Sequence, residues 1–156
     1  MYGRNPYGMT SGMAPGMTPG MTPGMPYNPM AGHIIKIRAA ATGMCMTYEG
    51  SSLVPRPHTL GNNHQQFKLE PAQAFPGFFK LVSVRHPDRV IRFCPALMPN
   101  LQLRNREPGS PNQAWRIQGG KLHPKGYPNM FISINRMSGK YHVDPSMQVF
   151  EIMHVM

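Results

Sequence analysis

The chain has few acidic residues, few cysteines and no long apolar run. Only 6 of its 156 residues are Asp or Glu, against 16 Lys or Arg, so the formal net charge is +10. No apolar stretch is long enough to cross a bilayer. The carboxylates form no close pair, and the 2 cysteines and 7 histidines show no ligand spacing. The sequence therefore predicts no enzyme, metal site or cofactor, and we expect Cys45 and Cys94 to be buried free thiols.

Long helices are also missing. The chain contains 16 glycines and 18 prolines, which recur throughout and interrupt any helix within about a dozen residues. Many short strands joined by turns remain, so the predicted fold class is all-β. Residues 33–156 are enough for one hydrophobic core and too few for two domains.

Residues 1–32 form a separate low-complexity arm rich in Met, Gly, Pro and Thr. From Gly8 a Gly-Met pair recurs every four residues, a spacing that an ordinary helix does not accommodate with Pro inside it. Three interpretations stay open: a flexible extension, an arm that docks on neighbouring subunits, and a methionine site for reduced copper. The arm lacks the apolar core of a signal peptide. A cytoplasmic location is therefore expected, although unconventional export stays open.

One short pattern, Gln-x-aromatic-x-aliphatic, occurs three times. The copies are QQFKL at residues 65–69, QAWRI at 113–117 and QVFEI at 148–152. The aromatic and aliphatic residues are two apart, so on a strand they point to the same face. We expect the repeat residues Gln65, Phe67, Trp115, Gln148 and Phe150 to build a shared core.

Each copy follows a hairpin-like pair of apolar runs. The first pair is 34–37 and 44–48, with a turn at Thr42 and Gly43; the second is 78–82 and 90–93. The third pair is 130–134 and 141–143, with a turn at Ser138 and Gly139. The repeats then begin near residues 35, 79 and 131, a period of roughly 40 to 50 residues that is typical of repeat architectures.

These features together resemble the ricin B-type lectin domain. The resemblance covers residues 33–156, and the middle copy, Asn112 with Gln113 and Trp115, is closest to the family pattern. It implies a β-trefoil of three pseudo-repeats, preceded here by the N-terminal arm. It also implies binding of sugars without catalysis.

In that family an Asp after the turn, an Asn beside the Gln and an aromatic residue contact the sugar. With the three turns in register, Thr47, Arg92 and His142 or Val143 stand at the Asp position, and Asp144 lies just beyond. The resemblance therefore implies degenerate sites. The expected carbohydrate-binding residues are Asn112, Gln113, Arg92, Phe93, Asn63 and Asp144, with the single usable site expected in the middle repeat.

Two further functions fit the sequence. One is a structural, self-assembling protein that forms oligomers or filaments through the arm at residues 1–32. The other is a basic module for anionic polymers, because the chain without the arm keeps 15 basic and 6 acidic groups, a net charge of +9. A sulfated or sialylated glycan near Arg89 and Arg92 would combine sugar and anion binding.

Overall fold

The computed structural model describes residues 32–50 and 52–155, so the predicted arm lies almost wholly outside the described residues. The described chain forms twelve strands and two short 3₁₀ helices, at Asn63–Gln65 and Pro111–Gln113. None of its helices is long and apolar enough to cross a membrane. The strands are β1 Ile34–Ala39, β2 Cys45–Glu49, β3 Ser52–Arg56, β4 Phe67–Pro71, β5 Phe79–Ser83, β6 Arg89–Phe93, β7 Leu101–Asn105, β8 Trp115–Gln118, β9 Lys121–Pro124, β10 Phe131–Ile134, β11 Tyr141–Asp144 and β12 Phe150–His154.

The twelve strands form three lobes of four. In each lobe the two middle strands form an antiparallel hairpin, β2–β3, β6–β7 and β10–β11. The outer strands pair in a ring, with β12 on β1, β1 on β4, β4 on β5, β5 on β8 and β8 on β9. The ring closes where the backbone N–H of Phe150 donates to the carbonyl of Gly120 at 2.7 Å. This arrangement is a β-trefoil, so the predicted fold is confirmed.

The repeated aromatic residues begin the fourth strand of each lobe. Phe67, Trp115 and Phe150 are at most 2% exposed, and each points into the common core of the ring. The indole N–H of Trp115 donates to the carbonyl of Ile91 at 2.9 Å, which satisfies its polar atom inside the core. Period-two alternation therefore places the same residue of each repeat at the same depth.

The third lobe begins earlier than the sequence pattern predicts. Its first strand is β9, which follows the turn at Gly119 and Gly120, so the lobe starts at Lys121 rather than near Phe131. The predicted hairpin of 130–134 with 141–143 does form, but as the second and third strands of the lobe. Consequently Ser133, and not His142 or Val143, matches Thr47 and Arg92. The sequence prediction for this position is wrong because it took β10 and β11 as the first two strands of the lobe and left out β9.

Candidate functional site

The repeat glutamines of the first two lobes are structural. Gln65 accepts a hydrogen bond from the backbone N–H of Thr59 (3.0 Å) and donates to the carbonyl of Pro57 (2.8 Å). Gln113 repeats the arrangement with Glu107 and Asn105, both at 2.8 Å. Each amide thereby ties down the loop before the fourth strand. Because both side chains are fully buried, Gln113 is not placed to contact a ligand.

In the first lobe, hydrogen bonds within the protein take up the polar groups at the position where the sugar-binding Asp is expected. Thr47 is 3% exposed; its hydroxyl donates to the carbonyl of Cys45 and accepts from Gln65. The ring of His64 contacts the carbonyl of Tyr48 at 2.9 Å. Asn63 is exposed at the start of the 3₁₀ helix. No free polar group therefore converges at the threonine.

An ion pair fills the equivalent position of the second lobe. The guanidinium of Arg92 donates to the carboxylate of Glu107 at 2.7 Å. Phe93 is 2% exposed and meets Tyr127 edge-on, with ring centroids 4.9 Å apart, so it belongs to the core. Asn112 is half-buried against the neighbouring loop. A Cβ added at Gly126 would lie 2.8 Å from its side-chain oxygen.

The third lobe keeps an open cleft at this position. The cleft has a volume of about 510 Å³ and includes hydroxyl, guanidinium, amide and apolar groups. Its lining residues are Thr42, Ser133, Ile134, Arg136, Ser146, Met147 and Gln148. Gln148 follows the last residue of β11 by only four positions, whereas Gln65 and Gln113 follow β3 and β7 by nine and eight. Its amide oxygen accepts from the backbone N–H of Ile134 instead of bridging a loop.

Asp144 organises the polar groups beside this cleft. Its Oδ1 accepts from the hydroxyl of Ser133 (2.9 Å) and from both the backbone N–H (2.9 Å) and the hydroxyl (2.6 Å) of Ser146. Its Oδ2 lies 2.8 Å from Nε2 of His142. Partial burial alone would raise the pKa of the Asp144 carboxyl, but these hydrogen bonds and His142 outweigh it and hold the pKa below its usual value. The group is therefore an ionised, fixed acceptor at neutral pH.

A hydroxyl has one proton to donate and two lone pairs to accept with. Since Ser133 and Ser146 both donate their proton to Asp144, their oxygens keep acceptor lone pairs. Ser146 is exposed, whereas Ser133 is only 3% exposed, so Ser146 is the acceptor that a ligand can reach. Ile134 and Met147 supply apolar surface beside them. The cleft thus offers a fixed acceptor at Ser146, a guanidinium donor from Arg136 and an apolar wall. Sequence reasoning found Asp144 but missed the two serines. Ser133 meets Asp144 only when β10 and β11 pair, whereas the contact of Ser146, two residues after Asp144, is local.

Neither a metal centre nor a reactive thiol is part of this surface. Among residues 32–50 and 52–155, no three His, Cys, Asp or Glu side chains gather as metal ligands. Cys45 and Cys94 are free and buried, and burial raises the pKa of both thiols.

Comparison with solved structures identifies proteins that share this fold. A β-trefoil named BEL superposes with a TM-score of 0.65 at 12% identity, covering 85% of this chain and 98% of its own. The C-terminal half of an earthworm R-type lectin, solved with GalNAc, gives a TM-score of 0.62 at 14% identity, covering 79% and 99%. The chain has the β-trefoil fold of the R-type lectins. The resemblance predicted from the three repeats is therefore confirmed at the level of the fold.

The same fold also occurs within larger enzymes. An endo-β-galactosidase from Clostridium perfringens that releases GlcNAcα1-4Gal superposes with a TM-score of 0.68 at 13% identity, covering 80% of this chain. The chain matches only about a third (33%) of the length of that enzyme. No family model and no curated protein sequence matches the chain.

Proposed function

We propose that this trefoil is a non-catalytic carbohydrate-binding module whose sugar site is the cleft of the third lobe. The observation that carries the proposal is the Asp144 carboxylate, which is anchored by the buried Ser133 and fixes the exposed hydroxyl of Ser146 as an acceptor at an open cleft. A sugar hydroxyl would donate to the oxygen of Ser146, and the apolar face of the ring would cover Ile134 and Met147. The R-type lectin solved with GalNAc shares the fold and supports this class of ligand.

The sugar site that we propose lies in the third lobe, whereas the sequence predicts it in the second. In the second lobe Arg92 is neutralised by Glu107, and Phe93 and Gln113 are buried, which leaves Asn112 alone among the sugar contacts expected there. In the third lobe the polar groups are fixed and the cleft is open. Degenerate sites in lobes one and two and one working site in lobe three is the arrangement that we propose.

The test is a glycan array with the full chain, followed by titration of the best ligand. We expect Asp144→Ala to weaken binding roughly 5- to 150-fold, the equivalent of losing a fixed hydrogen-bonding partner worth about 1–3 kcal/mol. Asn112→Ala, in the second lobe, is the matched control and should leave affinity unchanged. A broad array without a hit, or a loss confined to Asn112→Ala, would contradict the proposal.

A role in assembly is a second proposal, favoured by apolar side chains that project from the surface. Leu60, Met98 and Met137 are each at least 90% exposed, and the methionine-rich arm offers flexible apolar groups that would pack on such positions in a neighbouring copy. Light scattering on the full chain and on a variant lacking residues 2–31 tests it. An oligomeric state that does not change with the deletion removes this role.

A further inference from the structure

Two cations share one aromatic ring on a surface that has no residue in common with the third-lobe cleft. The guanidinium carbon of Arg116 lies 5.9 Å from the ring centroid of Phe78, and the ammonium of Lys125 lies 5.8 Å from the same centroid. Lys125 also lies 5.9 Å from the ring of Phe75. His123 meets Phe78 edge-on at 5.9 Å. We call Phe75, Phe78, Arg116, His123 and Lys125 the Phe78 patch.

The fold fixes this grouping through three elements. Arg116 and His123 are direct partners across β8 and β9. The segment that carries both phenylalanines is locked by the hydrogen bonds of Phe75 N–H to the carbonyl of Ala72 and of Phe78 N–H to the carbonyl of Phe75. The backbone N–H of Lys125 donates to the carbonyl of Ala114 at 2.9 Å. The cations therefore sit on a rigid base, although their charged ends are exposed.

The positive charge of the patch is not neutralised within the described chain. Neither Arg116 nor Lys125 forms an ion pair there, because most carboxylates are committed elsewhere. The pairs are Glu49 with Arg56, Glu70 with Arg106, Glu107 with Arg92, Glu151 with Arg38 and Asp144 with His142. Two like charges held at one ring repel each other, and an anion that bridges them relieves the repulsion. The arrangement is therefore complementary to an anion.

A cleft continues from the patch and lengthens the basic surface. It has a volume of about 330 Å³, and Phe75 lines it together with Lys80 and Arg106. Glu70 also lines the cleft and accepts two hydrogen bonds from Arg106 at 2.7 and 3.1 Å. Lys80 is the partner of Glu70 across β4 and β5, so the three side chains leave one positive charge in excess. A ligand that follows Arg116, Lys125 and Lys80 must carry several anionic groups along an extended chain.

We propose that the Phe78 patch and this cleft bind a sulfated polysaccharide. Single-stranded nucleic acid fits less well, because it needs free aromatic faces for its bases, and the rings of Phe75 and Phe78 already carry cations. Sulfate groups bind to the cations alone and need no free aromatic face. The patch shares no residue with the third-lobe cleft, so the proposal stands or falls independently of the one above.

The experiment measures binding of the full chain to heparin over a series of salt concentrations. The double variant Arg116→Gln with Lys125→Gln removes two ionic contacts. By analogy with nucleic acids, the slope of log affinity against log salt should become shallower by roughly 1.4 to 2. The charge-conserving variant Arg116→Lys with Lys125→Arg should retain most of the slope. Both positions are exposed, and thermal unfolding checks that each variant folds.

The matched control is Arg85→Gln with Arg104→Gln, which removes the same charge from exposed positions after β5 and on β7, outside the patch and its cleft. This control should change the slope of log affinity against log salt less than the Arg116 and Lys125 double variant does. Equal changes in both double variants would show a diffuse charge effect and overturn the proposal. So would a failure of the unmodified chain to bind heparin at low salt. Tighter, patch-dependent binding of a single-stranded oligonucleotide would overturn it in favour of nucleic acid.

Discussion

The two glycines between β8 and β9 allow a sharp test of the third lobe. Gly119 and Gly120 both have positive φ, +60° and +76°, so alanine is strained at either position. The surroundings differ. A Cβ at Gly119 would meet nothing within 4 Å, whereas a Cβ at Gly120 would lie 2.6 Å from the carbonyl oxygen of Phe150. The pair of alanine variants therefore separates backbone strain from close packing.

The loss of stability expected for each variant follows from these contacts. Gly119→Ala should cost about 1–2 kcal/mol, the price of a left-handed conformation for a residue with a Cβ. Gly120→Ala carries the same cost and also a clash with a backbone atom that has little freedom to move, because the N–H of Phe150 donates to the carbonyl of Gly120 at 2.7 Å. Losing that hydrogen bond adds roughly 1–3 kcal/mol. We expect a total of about 2–5 kcal/mol.

Thermal unfolding followed through the fluorescence of Trp115, the single tryptophan of the chain, measures both variants. For a domain of this size, each kcal/mol shifts Tm by roughly 3–6 °C. Gly120→Ala should therefore lower Tm at least about one and a half times as far as Gly119→Ala. Equal shifts would mean that β12 does not close the ring against Gly120. That result would also undo the lobe assignment that aligns Ser133 with Thr47 and Arg92.

Three further predictions concern buried or partly buried polar groups. Gln113→Ala should lower the free energy of unfolding by roughly 2–4 kcal/mol in denaturant titration, since it leaves two backbone groups without a hydrogen-bond partner. Gln148→Ala should cost less, because it leaves only one backbone group without a partner. Because the pKa of Asp144 is lowered in the folded state, its stabilising effect is complete above the ordinary value of 3.8 and is lost as the pH falls through the folded value. The stability difference between the unmodified chain and Asp144→Asn should thus be constant above about pH 5 and shrink below about pH 4; a difference that grows in acid would refute this. Cys45 and Cys94 should react with a thiol reagent only after unfolding, because burial raises their pKa and blocks access; fast reaction of the native protein would contradict it.

The fold could be predicted from the sequence because the apolar residues of the repeat alternate with the two-residue period of a strand. Phe67, Trp115 and Phe150 each precede an aliphatic residue by two positions, and alternation of that kind survives in the structure. The beginning of the third lobe was missed for a local reason. β9 has four residues, follows a Gly-Gly turn and ends in a proline, and its one deeply buried apolar side chain is Leu122, so its pattern is weaker than that of the strand at Phe131.

The candidate site could be predicted only in part, because it depends on contacts between strands. Asp144 could be found as a carboxylate near the expected position. Its bond to Ser133 exists only in the register that pairs Phe131 with Asp144, and no local pattern specifies that register. The Phe78 patch is harder still, since Arg116 and Lys125 come from elements separate from the phenylalanine that they share.

The pairing of β1 with β12 has a consequence for the order in which the molecule is made. β1 takes partners from its own lobe and from the last strand, so one side of it stays open until residues 150–154 have left the ribosome. Contacts this distant along the chain form slowly, and an unpaired strand edge invites association with other chains. A nascent chain with two completed lobes would still carry this open edge. Cotranslational folding should therefore finish in a single late step, at which the two ends of the trefoil lock each other in place.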